Sequence, residues 1–262
     1  MPEMTVFYAW QNDLPSRTNR YFIRDAAKAA VNRLSADADI DDSPRLDSDT
    51  QNVPGTPDIA ATIFSKIDRC GIFLCDLSFV GSTASHDARP EKHIPNPNVL
   101  LELGYAAARI SWDRIICVMN EAYGAPDQLI FDIRHRRWPI TYHLEESSSR
   151  DEQQQKQQAL TKEIDLAIKA ALQADHSTVS DILSRLDVNC LEWMARHGNS
   201  DYFPAPERRV AGDMLFNLAL DAALPRLLDL GIIRCDVSPD GQIYGYYWTY
   251  IGKLALKKIG AR

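Results

Sequence analysis

The sequence predicts an α/β fold, a parallel sheet with helices on both faces followed by a smaller, mainly helical domain. Short β-branched and apolar runs alternate with segments whose apolar residues recur at helical spacing. Two of the runs, Gly71-Ile-Phe-Leu-Cys-Asp76 and Arg114-Ile-Ile-Cys-Val-Met-Asn120, are continuously apolar and end on a polar side chain. That is the pattern of strands buried on both faces. Helix-start signals, Thr56-Pro57-Asp58 and Asn96-Pro97, separate the runs.

The first strand is expected in Thr5-Val-Phe-Tyr-Ala-Trp10, closed by the polar loop Gln11-Asn-Asp13. A helix follows from about Asn19, with Phe22, Ala26, Ala30 and Leu34 as one buried stripe. Arg45-Leu-Asp-Ser-Asp-Thr50 is a weak, polar second strand. The next helix should open with Thr56 as cap, Pro57 in its first position and Asp58 at its positive end, with Ile59, Ile63 and Ile67 on one face. After the strand ending at Asp76, a polar loop from Gly81 to Ile94 leads to the cap Asn96 and a helix carrying Val99, Leu100, Leu103 and Ala107. Trp138-Pro-Ile-Thr-Tyr142 is read as an edge strand, because proline cannot serve a central ladder. Ser149-Arg-Asp-Glu152 has capping-box spacing and opens a helix with Leu160, Ile164 and Ile168 that closes the first domain.

From about Asp175 helical segments take over: Val179 to Leu191 mark one helix, and Met214, Leu215, Leu218 and Leu220 another. A turn at Ser238-Pro-Asp-Gly241, the run Tyr244-Gly-Tyr-Tyr-Trp248 and a last helix from about Gly252 complete the chain. The expected division is residues 1–145 as a nucleotide-binding domain, 146–175 as closing helix and linker, and 176–262 as the second domain.

Composition narrows the classes. The 262 residues are 45% hydrophobic and 25% charged, ordinary for a globular protein. A net charge of -7 argues against a protein that simply coats nucleic acid. Five cysteines, an odd number with several in apolar runs, read as core thiols of a reducing compartment. With no signal segment and no run long enough to span a membrane, a cytoplasmic protein is expected. His86, His93, His135 and His143 lack metal-ligand spacing, and there is neither a Walker loop nor a Gly-x-Gly-x-x-Gly fingerprint.

Glu102 is the residue singled out for chemistry. It stands early in a helix after a long polar loop, an isolated acid among Leu100, Leu101, Leu103 and Gly104. Its carboxylate can reach the rim where the strand ends converge, the place where open parallel sheets bind ligands. The plain alternative is a surface glutamate favoured by the helix dipole. Asp76 can contact a ribose or cap its loop, and Asp49 can bind a hydroxyl or cap a turn. Tyr8 and Trp10 can stack on a base or belong to the core. Ser78 and Asn98 can donate hydrogen bonds to sugar or phosphate or serve as caps. Gln11 and Asp13 lie in the loop nearest the expected pocket, where solvated loop residues are the default.

The segment Asn98-Val-Leu-Leu-Glu-Leu-Gly-Tyr-Ala106, preceded by a strand ending in Asp76, resembles the motif shared by bacterial Toll/interleukin-1 receptor (TIR)-like domains and nucleoside 2-deoxyribosyltransferases. Phe7-Tyr-Ala-Trp-Gln-Asn-Asp-Leu14, Asp49-Thr50 with Val53-Pro-Gly-Thr-Pro-Asp58, and Pro95-Asn-Pro-Asn98 are similar to a prokaryotic TIR-like group in particular. The resemblance covers about one domain's worth of chain. It implies a flavodoxin-like fold and cleavage of an N-glycosidic bond, with Glu102 as the catalytic residue and NAD as substrate rather than cofactor. Tyr8, Trp10, Gln11, Asp13, Asp49, Asp76, Ser78 and Asn98 are the accompanying substrate-binding candidates.

The expectation is an NAD glycohydrolase acting in antiphage defence or as a toxin, releasing linear or cyclised ADP-ribose, and working as a homo-oligomer under an activating ligand or protein. A deoxyribosyltransferase or nucleotide hydrolase is the alternative within the same chemistry. A non-enzymatic nucleotide sensor relaying to DNA or a protein is the alternative outside it. Leu230-Gly-Ile-Ile233 and Trp248-Thr-Tyr-Ile-Gly-Lys-Leu-Ala255 resemble the end of a winged helix-turn-helix domain. Its basic residues Arg208, Arg209, Arg226, Arg234, Lys253, Lys257 and Lys258 are offset by acids, so assembly or sensing is favoured over DNA binding.

Overall fold

Alternating apolar runs and amphipathic helices produce the parallel sheet that their order predicts. The computed structural model describes residues 4–36, 44–48, 58–83, 91–136, 138–204, 214–237 and 241–261, excluding the side chains of 176 and 214–221. The elements of its first part are β1 (Thr5–Ala9), α1 (Arg20–Ser35), β2 (Arg45–Asp47), α2 (Ile59–Arg69), β3 (Ile72–Asp76), β4 (Phe79–Ser82) and β5 (His93–Pro95). They continue with α3 (Pro97–Arg109), β6 (Ile115–Asn120), the single turn α4 (Phe131–Arg134), β7 (Ile140–Tyr142) and the long α5 (Arg150–Ser184). Two compact units result, one ending at Ala171 and the other beginning at Leu172, so α5 contributes residues to both.

In the first unit five parallel strands lie in the order β2-β1-β3-β6-β7, the flavodoxin-like arrangement. Period-two alternation assigns the faces. Phe7, Ala9, Phe73, Cys75 and Met119 pack against Ile67 of α2 and Val99, Leu103 and Ala106 of α3. The opposite face is covered by α1 and the first part of α5. The rings of Phe22 and Tyr142 lie 4.9 Å apart, and Gln157 Nε2 donates to the Phe22 carbonyl at 3.0 Å. The chain runs from β1 to β2 on one side and then to β3 on the other. The crevice between diverging connections therefore opens at the carboxyl ends of β1 and β3.

Local differences from the sequence reading have identifiable causes. Asp58 caps α2 by accepting from the Ala61 N–H at 3.0 Å, so the helix begins at Ile59, while Thr56 and Pro57 lie outside the described residues. Asn19 occupies the cap position of α1 without capping it: its Oδ1 accepts from Asn120 Nδ2 and Thr18 Oγ1, while its Nδ2 donates to Asp76 and Ser78. The expected loop from Gly81 to Ile94 begins and ends in an antiparallel pair, β4 with β5, anchored by buried Phe79 against His93. Helical periodicity had joined Val179 to Leu191. The chain instead breaks at Asp187, whose carboxylate accepts from the Cys190 N–H and starts a new helix.

The second unit adds α6 (Val188–His197), β8 (Tyr202–Pro204), α7 (Met214–Asp229), β9 (Ile233–Val237), β10 (Ile243–Trp248) and α8 (Tyr250–Lys258). Its antiparallel sheet has the order β8-β10-β9 and packs on a core that includes Trp193, Trp248, Phe203 and Leu256. Thr249, rather than Gly252, starts the last helix, with its hydroxyl oxygen accepting from the Gly252 N–H at 3.0 Å. Gly252 is fixed by close approach, since a Cβ there would stand 2.0 Å from the Ile232 carbonyl oxygen. Gly252→Ala should destabilise this unit by roughly 1–3 kcal/mol through overpacking. Thermal denaturation checks it, and an unchanged transition would contradict the tight packing of α8 on Ile232.

All five cysteines are free, with Cys70, Cys75 and Cys190 buried. Burial pushes the Cys70 thiol up to about 12, which keeps it neutral and unreactive. No described helix is long and apolar enough to cross a membrane.

Candidate functional site

A cleft of about 280 Å³ lies at the carboxyl end of β1. It is lined by residues 7–13, by Ile63 of α2 and by Asn96, Asn98 and Glu102 at the start of α3. Local sequence explains the placement of Glu102. Asn96 Oδ1 accepts from the N–H groups of Asn98 and Val99, Pro97 takes the first helical position, and burial of Val99 and Leu103 turns the helix. Glu102 is left half-buried facing the cleft, while Leu101 before it is exposed. Burial pushes the Cys75 thiol well above its usual pKa, and the neighbouring Cys117 and the charges of Asp76 and Glu102 add to the rise.

Six of the sequence-predicted residues line this cleft together: Tyr8, Trp10, Gln11, Asp13, Asn98 and Glu102. Asp76 and Ser78 do not line it. Both are completely buried and engage the protein. Asp76 accepts from Gln11 Nε2 at 3.0 Å, Asn19 Nδ2 at 3.3 Å and the Ser78 N–H at 2.9 Å. Ser78 Oγ accepts from Asn19 Nδ2 at 3.0 Å and the Asn120 N–H at 2.8 Å. Asp49 lies outside the described residues.

Gln11 departs from the solvated loop residue expected at its position. It is 2% exposed, and its Oε1 accepts from the N–H groups of Asp13 and Leu14 at 2.7 and 2.9 Å while its amide holds Asp76. Asp13 is exposed, and its carboxylate accepts from Asn96 Nδ2 at 2.6 Å, joining the loop after β1 to the cap of the helix that carries Glu102. Tyr8 is buried, and its hydroxyl donates to the Arg20 carbonyl at 3.4 Å. Burial raises its pKa well above the usual tyrosine value, so it stays a neutral donor. Trp10 is half-buried, with the Arg20 guanidinium over its ring.

Residues that sequence reasoning did not assign to the site hold it up from behind. Thr18, Asn19 and Asn120 are fully buried polar groups around the ends of β1, β3 and β6. Tyr142 Oη donates to the Thr18 carbonyl at 2.7 Å. The signal for Asn120 was present, since it closes an apolar strand as Asp76 does. Asn19 had none beyond its place at the expected start of a helix.

Burial raises the pKa of Asp76 above 3.8, and the donors from Ser78, Gln11 and Asn19 offset part of that rise. The folded protein therefore holds this proton more tightly than the unfolded chain. The contribution of the group is fully present below about pH 3.8 and is lost as pH rises through the higher folded value. Asp76→Asn should remove that downward step from the stability profile, as measured by urea unfolding across the acid range. An unchanged profile would show that Asp76 titrates alike in both states.

Among the described residues no group of His, Cys, Asp and Glu is arranged to hold a metal ion. What the cleft offers is a half-buried carboxylate together with aromatic, amide and further carboxylate side chains. In comparisons with known proteins, no family model matches the chain and no curated protein is significantly similar to it.

Proposed function

We propose that the first unit is an NAD glycohydrolase that cleaves the bond between nicotinamide and ribose, with Glu102 as its catalytic carboxylate. The observation that carries this reading is the half-buried Glu102 in a cleft at the switch point of a flavodoxin-like sheet. The resemblance of the segment around it to TIR-like domains supplies the substrate.

The chemistry suits a single acid. Breaking the bond from C1′ to the pyridinium nitrogen sends the electron pair to nicotinamide, which leaves neutral and needs no proton. Positive charge then builds on the sugar, as in glycosidase transition states. A fixed carboxylate stabilises that charge directly or bonds to C1′ as a nucleophile. Water ends the reaction by bonding its oxygen to C1′, displacing the carboxylate where that has bonded to the sugar, and releasing a proton to solvent, giving ADP-ribose and nicotinamide. Asn98 and Asp13 are within the same cleft for the ribose hydroxyls, and Trp10 offers a ring on which a base can stack.

The reading extends to an effector of antiphage defence or a toxin, in which assembly of copies through the second unit, prompted by a ligand or protein, releases the activity. Incubating purified protein with NAD at increasing protein concentration and following free nicotinamide tests both parts. No release at any concentration would overturn the reading. Turnover of deoxynucleosides in place of NAD would redirect it to deoxyribosyl transfer.

A further inference from the structure

Among the described residues the cleft offers no cationic group to the phosphates of such a substrate. Asp13 and Glu102 are its charged lining residues, both acidic, and no basic side chain lines it among the described residues. At about 280 Å³ it is also at the small end for a ligand site, typically about 300–1,000 Å³.

Arg20, the first residue of α1, stands against one of the residues that line this cleft. Its guanidinium carbon lies 3.2 Å from the centre of the Trp10 ring, and Trp10 is itself a wall of the cleft. Tyr21, 43% exposed, lies beside it, with the Arg20 guanidinium 5.4 Å from its ring centre. Among the described residues the Arg20 guanidinium has no carboxylate or carbonyl partner, whereas neighbouring Arg24 is paired with Asp25 at 2.8 Å. A half-buried arginine without an acceptor among the described residues, in a chain of net charge -7, is unusual enough to need a reason. Stacking supplies part of it. The indole engages the flat face of the guanidinium and holds it in one orientation, while the N–H groups in its plane stay open. An open planar fork of donors is the geometry that binds phosphate oxygens bidentately.

We infer that Arg20, held flat on Trp10, is the phosphate-binding residue of this site and clamps the diphosphate of a dinucleotide whose reacting ribose lies beside Glu102. The inference rests on the proposed nucleotide-cleaving reading for the identity of the dinucleotide. Trp10 then serves both halves of the ligand, one through the cleft wall and the other through the arginine it supports.

The test uses the full chain carrying Glu102→Gln, so that ligands bind without turnover. Calorimetric titration with ADP-ribose and with nicotinamide riboside, which has no phosphate, is compared with the same chain also carrying Arg20→Gln or Arg20→Lys. The expected result is ADP-ribose binding weakened about tenfold or more by Arg20→Gln and partly restored by Arg20→Lys, with nicotinamide riboside binding unchanged. No ADP-ribose binding by the parent, or equal binding with and without the arginine, overturns the inference. So does equal weakening of both ligands, which would mean that Arg20 only steadies Trp10. Unaltered thermal transitions in the arginine variants confirm that the comparison is between folded proteins. The two readings fail separately. Arginine-dependent ADP-ribose binding without nicotinamide release in the native sequence sinks the hydrolase and keeps the phosphate site. Release from NAD with an unchanged KM in Arg20→Gln does the reverse.

Discussion

Glu102→Gln is expected to reduce nicotinamide release from NAD by at least about 100-fold, the loss typical of removing one group that stabilises developing charge in a transition state. The substitution keeps the size of the side chain, its place on α3 and a similar helix propensity. It removes the negative charge that would face the sugar cation. Because the loss falls on an interaction strengthened in the transition state, kcat should drop while the binding of ADP-ribose stays close to that of the native protein. Glu102→Asp keeps the charge but draws it back by one methylene, so its activity should fall between the two, since positioning by a full bond length matters to a pre-organised group. Single-turnover measurement of nicotinamide release separates these cases. Equal rates for the native protein and Glu102→Gln would remove Glu102 from the chemistry and leave it as a helix residue beside a cleft.

The sheet was legible in this sequence for a physical reason. β3 is buried at all five positions, and a strand covered on both faces must be apolar throughout, so the run ending at Asp76 could be read as central. The short β2, with exposed Arg45 and half-buried Leu46 and Asp47, carries little pattern and was correspondingly weak. The cap of α3 was legible because Asn96-Pro97 acts locally, through N–H groups two and three residues ahead. The fate of Asn19 was not, because its partners are 57 and 59 residues away and local rules see only the start of a helix there. The same limit explains Asp76 and Gln11. Each was readable as a polar residue near the carboxyl end of a strand, but whether it faces ligand or protein depends on a hydrogen bond spanning 65 residues. The carboxylate of Glu102 was conspicuous for the opposite reason, as an acid among leucines whose local spacing already sets the direction of the helix.

The same network makes Asn120 the position where a small change should cost the first unit most stability. Its Nδ2 donates to the Leu144 carbonyl at 2.9 Å, the Asn19 Oδ1 at 3.3 Å and the Thr18 carbonyl at 3.4 Å. Its Oδ1 accepts from the Leu144 N–H at 3.0 Å and the Ala122 N–H at 3.2 Å. One fully buried side chain thus ties the end of β6 to the segment after β7 and to the start of α1. Asn120→Ala strips both hydrogen bonds from the buried Leu144 backbone and leaves the Asn19 side chain one donor short. Each buried group left unsatisfied costs about 1–3 kcal/mol, and their overlap makes roughly 3–5 kcal/mol a reasonable total. Asn120→Asp keeps the acceptor for the two N–H groups but puts a carboxylate against the Leu144 and Thr18 carbonyls, so it should be no better tolerated at neutral pH. Urea unfolding of the full chain, followed by a probe in the first unit, measures the loss. A loss below about 1 kcal/mol would mean that the network relaxes around the gap. Because Asn19 also holds Asp76, and Asp76 holds Gln11, the variant should loosen the loop after β1 as well. Its ADP-ribose binding should then weaken at temperatures where the unit is still folded, joining the stability of the sheet to the shape of the cleft.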